Sequence, residues 1–108
     1  MPEQPLVPLS QLAHGRSGDK GNHANVAIIA YDRPGYEHLC AHLSAARVLA
    51  FFAGLGCARV ERYLAPNVLG LNFVLIDALA GGASRSLRRD TQGKSYAGVL
   101  LTMLIEMR

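Results

Sequence analysis

Apolar residues come in short runs and helically spaced sets along this chain, separated by polar, glycine-rich stretches, and the pattern divides it into elements. Leu6–Ala13 alternates poorly but is apolar enough to predict a strand. His14–His23 holds three glycines and no apolar side chain, which predicts a loop. Asn25–Tyr31 is a short, continuously apolar run and reads as a strand covered on both faces. Asp32, with Pro34 just behind it, marks the start of a helix that runs to about His42. Ser44 is a second cap. Val48, Leu49, Phe51, Phe52 and Leu55 follow at helical spacing, with Gly54 and Gly56 as the stop.

The second half is less uniform. Arg59–Ala65 predicts a strand that ends at Pro66. Over 67–80 two patterns overlap. Leu71, Val74, Leu75, Ala78 and Leu79 fit a helix, whereas Phe73, Val74, Leu75 and Ile76 suit a strand. Asn67 as a cap and Gly81-Gly82 as a stop favour the helix. Ala83–Arg89 predicts another strand, and Asp90 caps a last helix from about Thr91. Its few polar positions, Ser95, Thr102 and Glu106, share one stripe. Leu104–Met107 has the alternative of leaving that helix as a short edge strand. The order predicts an α+β, ferredoxin-like two-layer sandwich: a mostly antiparallel sheet, helices on one face and an extra N-terminal strand. Residues 1–8 are expected to be a flexible N-terminus and 9–108 a single domain.

Composition narrows the class. Half of the 108 residues are apolar and only 18% are charged, against about 25% in average soluble domains. That is more apolar surface than one small core needs, and it predicts a homo-oligomer or a subunit of a complex. The N-terminus lacks the basic start and apolar stretch of a secretory signal, and no run approaches the ~18 apolar residues of a membrane span. Cys40 and Cys57 form neither a disulfide framework nor a zinc motif. The expectation is a cytoplasmic protein with no membrane partner.

The net charge of +3 is mild, but six of the eleven basic residues fall in two short segments: Arg16 and Lys20 in one, Arg85, Arg88, Arg89 and Lys94 in the other. The first, Arg16, Ser17, Gly18, Asp19, Lys20, Gly21 and Asn22, combines glycines with side-chain donors, as backbone nests for phosphate or carboxylate do. It is neither a P-loop nor a dinucleotide fingerprint, because it leads into a strand. The second, Gly81, Gly82, Ser84, Arg85, Ser86, Arg88, Asp90 and Lys94, has the same composition. Each segment also reads as an ordinary turn or cap with solvated arginines. If the fold joins them, they form a local anion site.

Other chemistry is less well marked. His38 and His42 share a helix face, but two ligands do not make a zinc site. His14 and His23 flank the first segment as candidate acid–base groups, with no carboxylate at a telling spacing. No nucleophile elbow surrounds Ser17, Ser84 or Ser86. Whether the chain is an enzyme stays open, and no metal or cofactor is implied. The seven Phe and Tyr residues are scattered, unlike those of an RNA-recognition sheet, so no nucleic-acid partner is expected.

Taken together, Arg16–Asn22, Glu61-Arg-Tyr63, Leu71-Asn-Phe73, Gly81-Gly82 with Ser86-Leu87, Asp90 and Gly93-Lys94 resemble the C-terminal domain of the acyclic terpene utilisation (AtuA) family, over about residues 9–107. The resemblance implies a ferredoxin fold. It also implies a setting in the catabolism of acyclic terpenes and related branched acyl-CoA compounds. In that family the unit usually follows a much larger domain; here it is expected to stand alone. The expectation is a small subunit that binds an anionic ligand, an acyl-CoA among the candidates, and that forms a homo-oligomer or joins a larger AtuA-type subunit. The alternative is a non-catalytic interaction module that completes a larger partner.

Overall fold

A computed structural model describes residues 5–20, 23–53, 57–77 and 96–107. The main sheet has four strands in the order β2-β3-β5-β4: β2 (Ala13–Lys20), β3 (His23–Ala30), β4 (Arg59–Ala65) and β5 (Gly70–Ile76). Every pairing is antiparallel. Three helices, α1 (Arg33–His42), α2 (Ala45–Phe51) and α3 (Tyr96–Leu100), are described. A separate ribbon pairs β1 (Leu6–Pro8) with β6 (Leu104–Glu106). The molecule is 20 Å across its short axis, the depth of a sheet and one helix layer at ~10 Å each. This is the ferredoxin-like α+β arrangement that the element order predicts.

The caps predicted at Asp32 and Ser44 form, and the one predicted at Asp90 lies outside the described residues. The Asp32 carboxylate accepts from the Gly35 N–H at 2.8 Å and the Ser44 hydroxyl from the Arg47 N–H at 3.1 Å, so α1 and α2 begin where the polar residues stand. Strand β4 occupies the predicted span and stops at Pro66. The stop expected at Gly54 and Gly56 and the strand expected at 83–89 lie outside the described residues.

Five expectations change. His14–His23 is not a loop: residues 13–20 form β2, and Ala13↔Ala30 to Lys20↔His23 is an unbroken ladder. Among the described residues β2 is an edge strand, and an edge strand needs little apolar surface. His14 and Arg16 are exposed, and the opposite side is built from Ala13, Gly15 and Ser17, which are small enough for α3 to approach. Strand β3 is covered on one face only: Ala24, Val26, Ile28 and Ala30 are buried, while His23, Asn25, Ala27 and Ile29 are not. Residues 70–76 are strand, not helix. Leu71, Phe73 and Leu75 are buried, and Asn72, Val74 and Ile76 are half-buried on the other face. Pairing to β3 and β4 on both sides outweighs the helical signals, and Asn67 sits in a 3-10 turn (Pro66–Val68). The last helix ends at Leu100, and Leu104–Glu106 takes the edge-strand alternative. The strand expected over Leu6–Ala13 is divided: Leu6–Pro8 forms β1, a 3-10 turn follows at Leu9–Gln11, and Ala13 begins β2.

The core lies between the sheet and the helices. Val26, Ile28, Leu71, Phe73 and Leu75 meet Leu39, Leu43, Val48, Tyr96 and Leu100, all at 1% exposure or less. The ribbon is attached through Leu9 N–H to the Met103 carbonyl, 2.9 Å, and Ser10 N–H to the Leu101 carbonyl, 3.0 Å.

Candidate functional site

In a strand, successive side chains face opposite sides, and this sorts the first Gly/basic segment. Arg16 stands exposed on the face of the sheet turned away from the helices. Ser17 faces α3, where its hydroxyl accepts a hydrogen bond from the Ala97 N–H at 3.0 Å. Among the described residues, nothing lies within 4 Å of where a Cβ on Gly18 would stand. Asp19 and Lys20 close the ladder opposite Ala24 and His23. Gly21 and Asn22 lie outside the described residues, as do Gly81, Gly82, Ser84, Arg85, Ser86, Arg88, Asp90 and Lys94.

The ladder also limits a backbone nest. The Ala30 N–H bonds the Leu69 carbonyl at 2.9 Å, which sets the hydrogen-bonding phase of β3 against β5. Residues in a strand turn their main-chain groups alternately to either neighbour. The N–H groups of His14, Arg16, Gly18 and Lys20 are therefore taken up by β3 and are not free to form a nest.

The structure does join the first segment to the element that follows the second. Besides the Ser17–Ala97 bond, a Cβ on Gly15 would lie 3.2 Å from the Ala97 Cβ, so α3 rests directly on β2. Ala97 is three residues beyond Lys94. Asn25, which the sequence placed in a strand covered on both faces, is exposed directly across from Gly18. Period-2 reading of β3, with Asn25 flanked by Ala24 and Val26, is the signal that would have found it.

The histidines are held apart. His14 stacks on Tyr31, with ring centroids 5.6 Å apart, and pairs with Ile29 at the base of the hairpin. His23 is at the tip, about 20 Å away at ~3.3 Å per residue. Its Nδ1 accepts from the Asp77 N–H at 3.0 Å, which leaves Nε2 to carry the ring proton. The Asp77 carboxylate is 3.9 Å from the same nitrogen. Asp77 has φ 62°, a left-handed conformation that Asp tolerates better than most residues. The two imidazoles are too far apart to act on one substrate atom.

His38 and His42 share a face as expected, with centroids 4.2 Å apart. They serve packing. His38 Nε2 donates to the Glu106 carbonyl at 2.7 Å, and Arg47 donates to the Glu106 carboxylate at 2.6 Å and to the His42 carbonyl at 3.2 Å, which ties α1 and α2 to β6. Among the described residues no group of three or more His, Cys, Asp or Glu is placed to hold a metal. Cys40 and Cys57 are half-buried free thiols, and burial pushes the Cys57 thiol up, away from the reactive thiolate.

The Arg47 hydrogen bond holds the Glu106 carboxyl below the usual carboxylate range, helped by a backbone hydrogen bond and the nearby charges. A carboxylate depressed on folding stabilises the fold above its unfolded value, ~4.3, and loses that contribution as pH falls through the lower folded value. Glu106→Gln should therefore flatten the acid limb of the thermal midpoint against pH below ~4.3, measured by circular dichroism. An acid limb identical to the parent's would assign acid sensitivity to other carboxylates.

Among the described residues, no helix is long and apolar enough to cross a membrane. Searches of curated proteins and of solved structures found no match. A family model, the AtuA ferredoxin-like domain, matches residues 7–106. That span is nearly the whole chain, from the second residue of β1 to the end of β6: this chain belongs to the AtuA ferredoxin-like domain family.

Proposed function

We propose that this domain binds an anionic ligand, a phosphate or carboxylate of a branched acyl-CoA or related compound of acyclic terpene catabolism, where its two Gly/basic segments meet. The observation that carries the reading is the Ser17–Ala97 hydrogen bond, which brings β2 against the helix that follows the second segment. In this reading Arg16 and Lys20 supply charge from the first segment and Arg85, Arg88 and Lys94 from the second. Arg16, Gly18 and Asn25 lie on the open face, so in this reading the site extends around the β2 edge from the α3 side.

Thermal-shift titration with phosphate, CoA and several acyl-CoAs tests this. A ligand at 100 times its dissociation constant adds about 2.7 kcal/mol, roughly 10 °C or more for a domain of this size. Arg16→Ala and Arg85→Ala should each weaken binding about tenfold or more, near 1.4 kcal/mol. Unchanged affinity in both variants would refute the site. The second reading, a non-catalytic module that completes a larger partner, draws on the open sheet face, where Ile29, Val74 and Ile76 are half-buried among polar residues. It predicts no shift with any of these ligands.

A further inference from the structure

Strand β4 is an edge of the sheet: β5 lies on one side and, among the described residues, no strand on the other. The hydrogen-bonding phase shows which of its main-chain groups face out. Because Ala30 and Leu69 are a bonded pair, so are Ile28–Leu71, Val26–Phe73 and Ala24–Leu75. Asn72, Val74 and Ile76 consequently bond β4, at Tyr63, Glu61 and Arg59. Val60, Arg62 and Leu64 present their N–H and carbonyl groups outward.

Exposed edges are normally guarded by charged side chains, lysine above all, by proline, a bulge or a covering element; in β4 the charges are engaged, Arg59 with Glu61 and Arg62 with the Cys40 and Leu43 carbonyls. Arg59–Ala65 holds unbroken register with β5 over all seven residues and contains neither lysine nor proline. Apolar side chains are exposed at the same end: Tyr63 at 53%, Leu64 at 48% and Val68 at 59%.

We propose that β4 pairs antiparallel with β4 of a second copy of this chain, about a two-fold axis at Arg62, joining two sheets into one. The outward main-chain groups sit at 60, 62 and 64, symmetric about 62, so the strand's own antiparallel image meets every donor with an acceptor. In that register Val60 faces Leu64 of the other copy, which covers an exposed apolar side chain. Glu61 faces Tyr63 of the other copy, the same acceptor and donor that already pair within one strand at 2.6 Å. Arg59, 3.0 Å from Glu61, neutralises that carboxylate. Arg62 would meet its own image, but its guanidinium is drawn back to the carbonyls of Cys40 and Leu43 at 2.9 and 3.0 Å. A seven-residue strand is ~23 Å long and covers less than the ~800 Å² per partner of a stable interface. The dimer is therefore reversible and concentration-dependent.

Sedimentation velocity on the ligand-free chain, from about 1 to 500 µM, tests the pairing. The expected result is a shift toward twice the monomer mass across that range. Leu64→Pro removes one outward N–H and leaves the β5 ladder intact, and Leu64→Lys guards the edge with charge. Each should weaken association tenfold or more, with the far-UV spectrum unchanged. Ile29→Lys, on the open sheet face, should leave it unaltered. A chain that stays monomeric throughout overturns the proposal. So does a dimer that survives both Leu64 variants, or one that only Ile29→Lys disrupts.

Discussion

Replacing Gly15 by valine should lower stability by about 2–3 kcal/mol and the thermal midpoint by roughly 10–20 °C. A Cβ at this position would lie 2.9 Å from the Ala27 carbonyl oxygen, 3.1 Å from Ile28 Cδ1 and 3.2 Å from Ala97 Cβ. The first of these is main chain in the neighbouring strand and cannot rotate aside. The last is a residue of α3, so the added bulk must lift the helix and stretch the Ser17–Ala97 hydrogen bond. Gly18, three residues on in the same strand, is the control: Gly18→Ala should change stability by no more than ~0.5 kcal/mol, because among the described residues nothing lies within 4 Å of the added atom. Equal effects at the two glycines would mean that α3 does not rest on β2.

Phe73→Ala should cost about 3–5 kcal/mol, while Val74→Ala costs about 1 kcal/mol or less. Phe73 is fully buried at the centre of the sheet, and Val74 is half-buried on the open face. Against a total stability of ~5–15 kcal/mol, the first change leaves a measurable unfolded fraction. The pair also decides between the two patterns that overlap in this segment. A helix turned inward through Leu71, Val74 and Leu75 would make Val74 the costly position and Phe73 the tolerant one. Urea denaturation of the two variants distinguishes them.

The elements that the sequence revealed are those whose signals are local. Asp32 and Ser44 cap helices because their side chains reach the N–H three residues on, a contact set by the chain itself. Strand β4 ends where Pro66 removes a donor. The segment 70–76 misled because helix and strand both place Leu71 and Leu75 inward, and only pairing with β3 and β4 chooses between them. Strand β2 was hidden for another reason. Its inner face must stay small to admit α3 and its outer face meets solvent, so no apolar pattern marks it as a strand. The same loop-like composition that concealed β2 drew attention to Arg16–Asn22 as a candidate site. Composition alone did not reveal that Arg16 and Ser17 face opposite sides of the sheet, because that follows from the strand.

The β1–β6 ribbon sets how the domain responds to force. Leu6 lies opposite Glu106, so the start of β1 and the end of β6 are neighbours, and the Met107 N–H bonds the Pro5 carbonyl at 3.2 Å just beyond them. Tension applied to the two chain ends loads this short ladder from one end and opens it pair by pair, like a zipper, where a parallel pull would have to shear every bond together. Glu106, at the loaded end, is also held by His38 and Arg47, so the same pull bears on α1 and α2 as well as on the Leu9–Met103 and Ser10–Leu101 bonds.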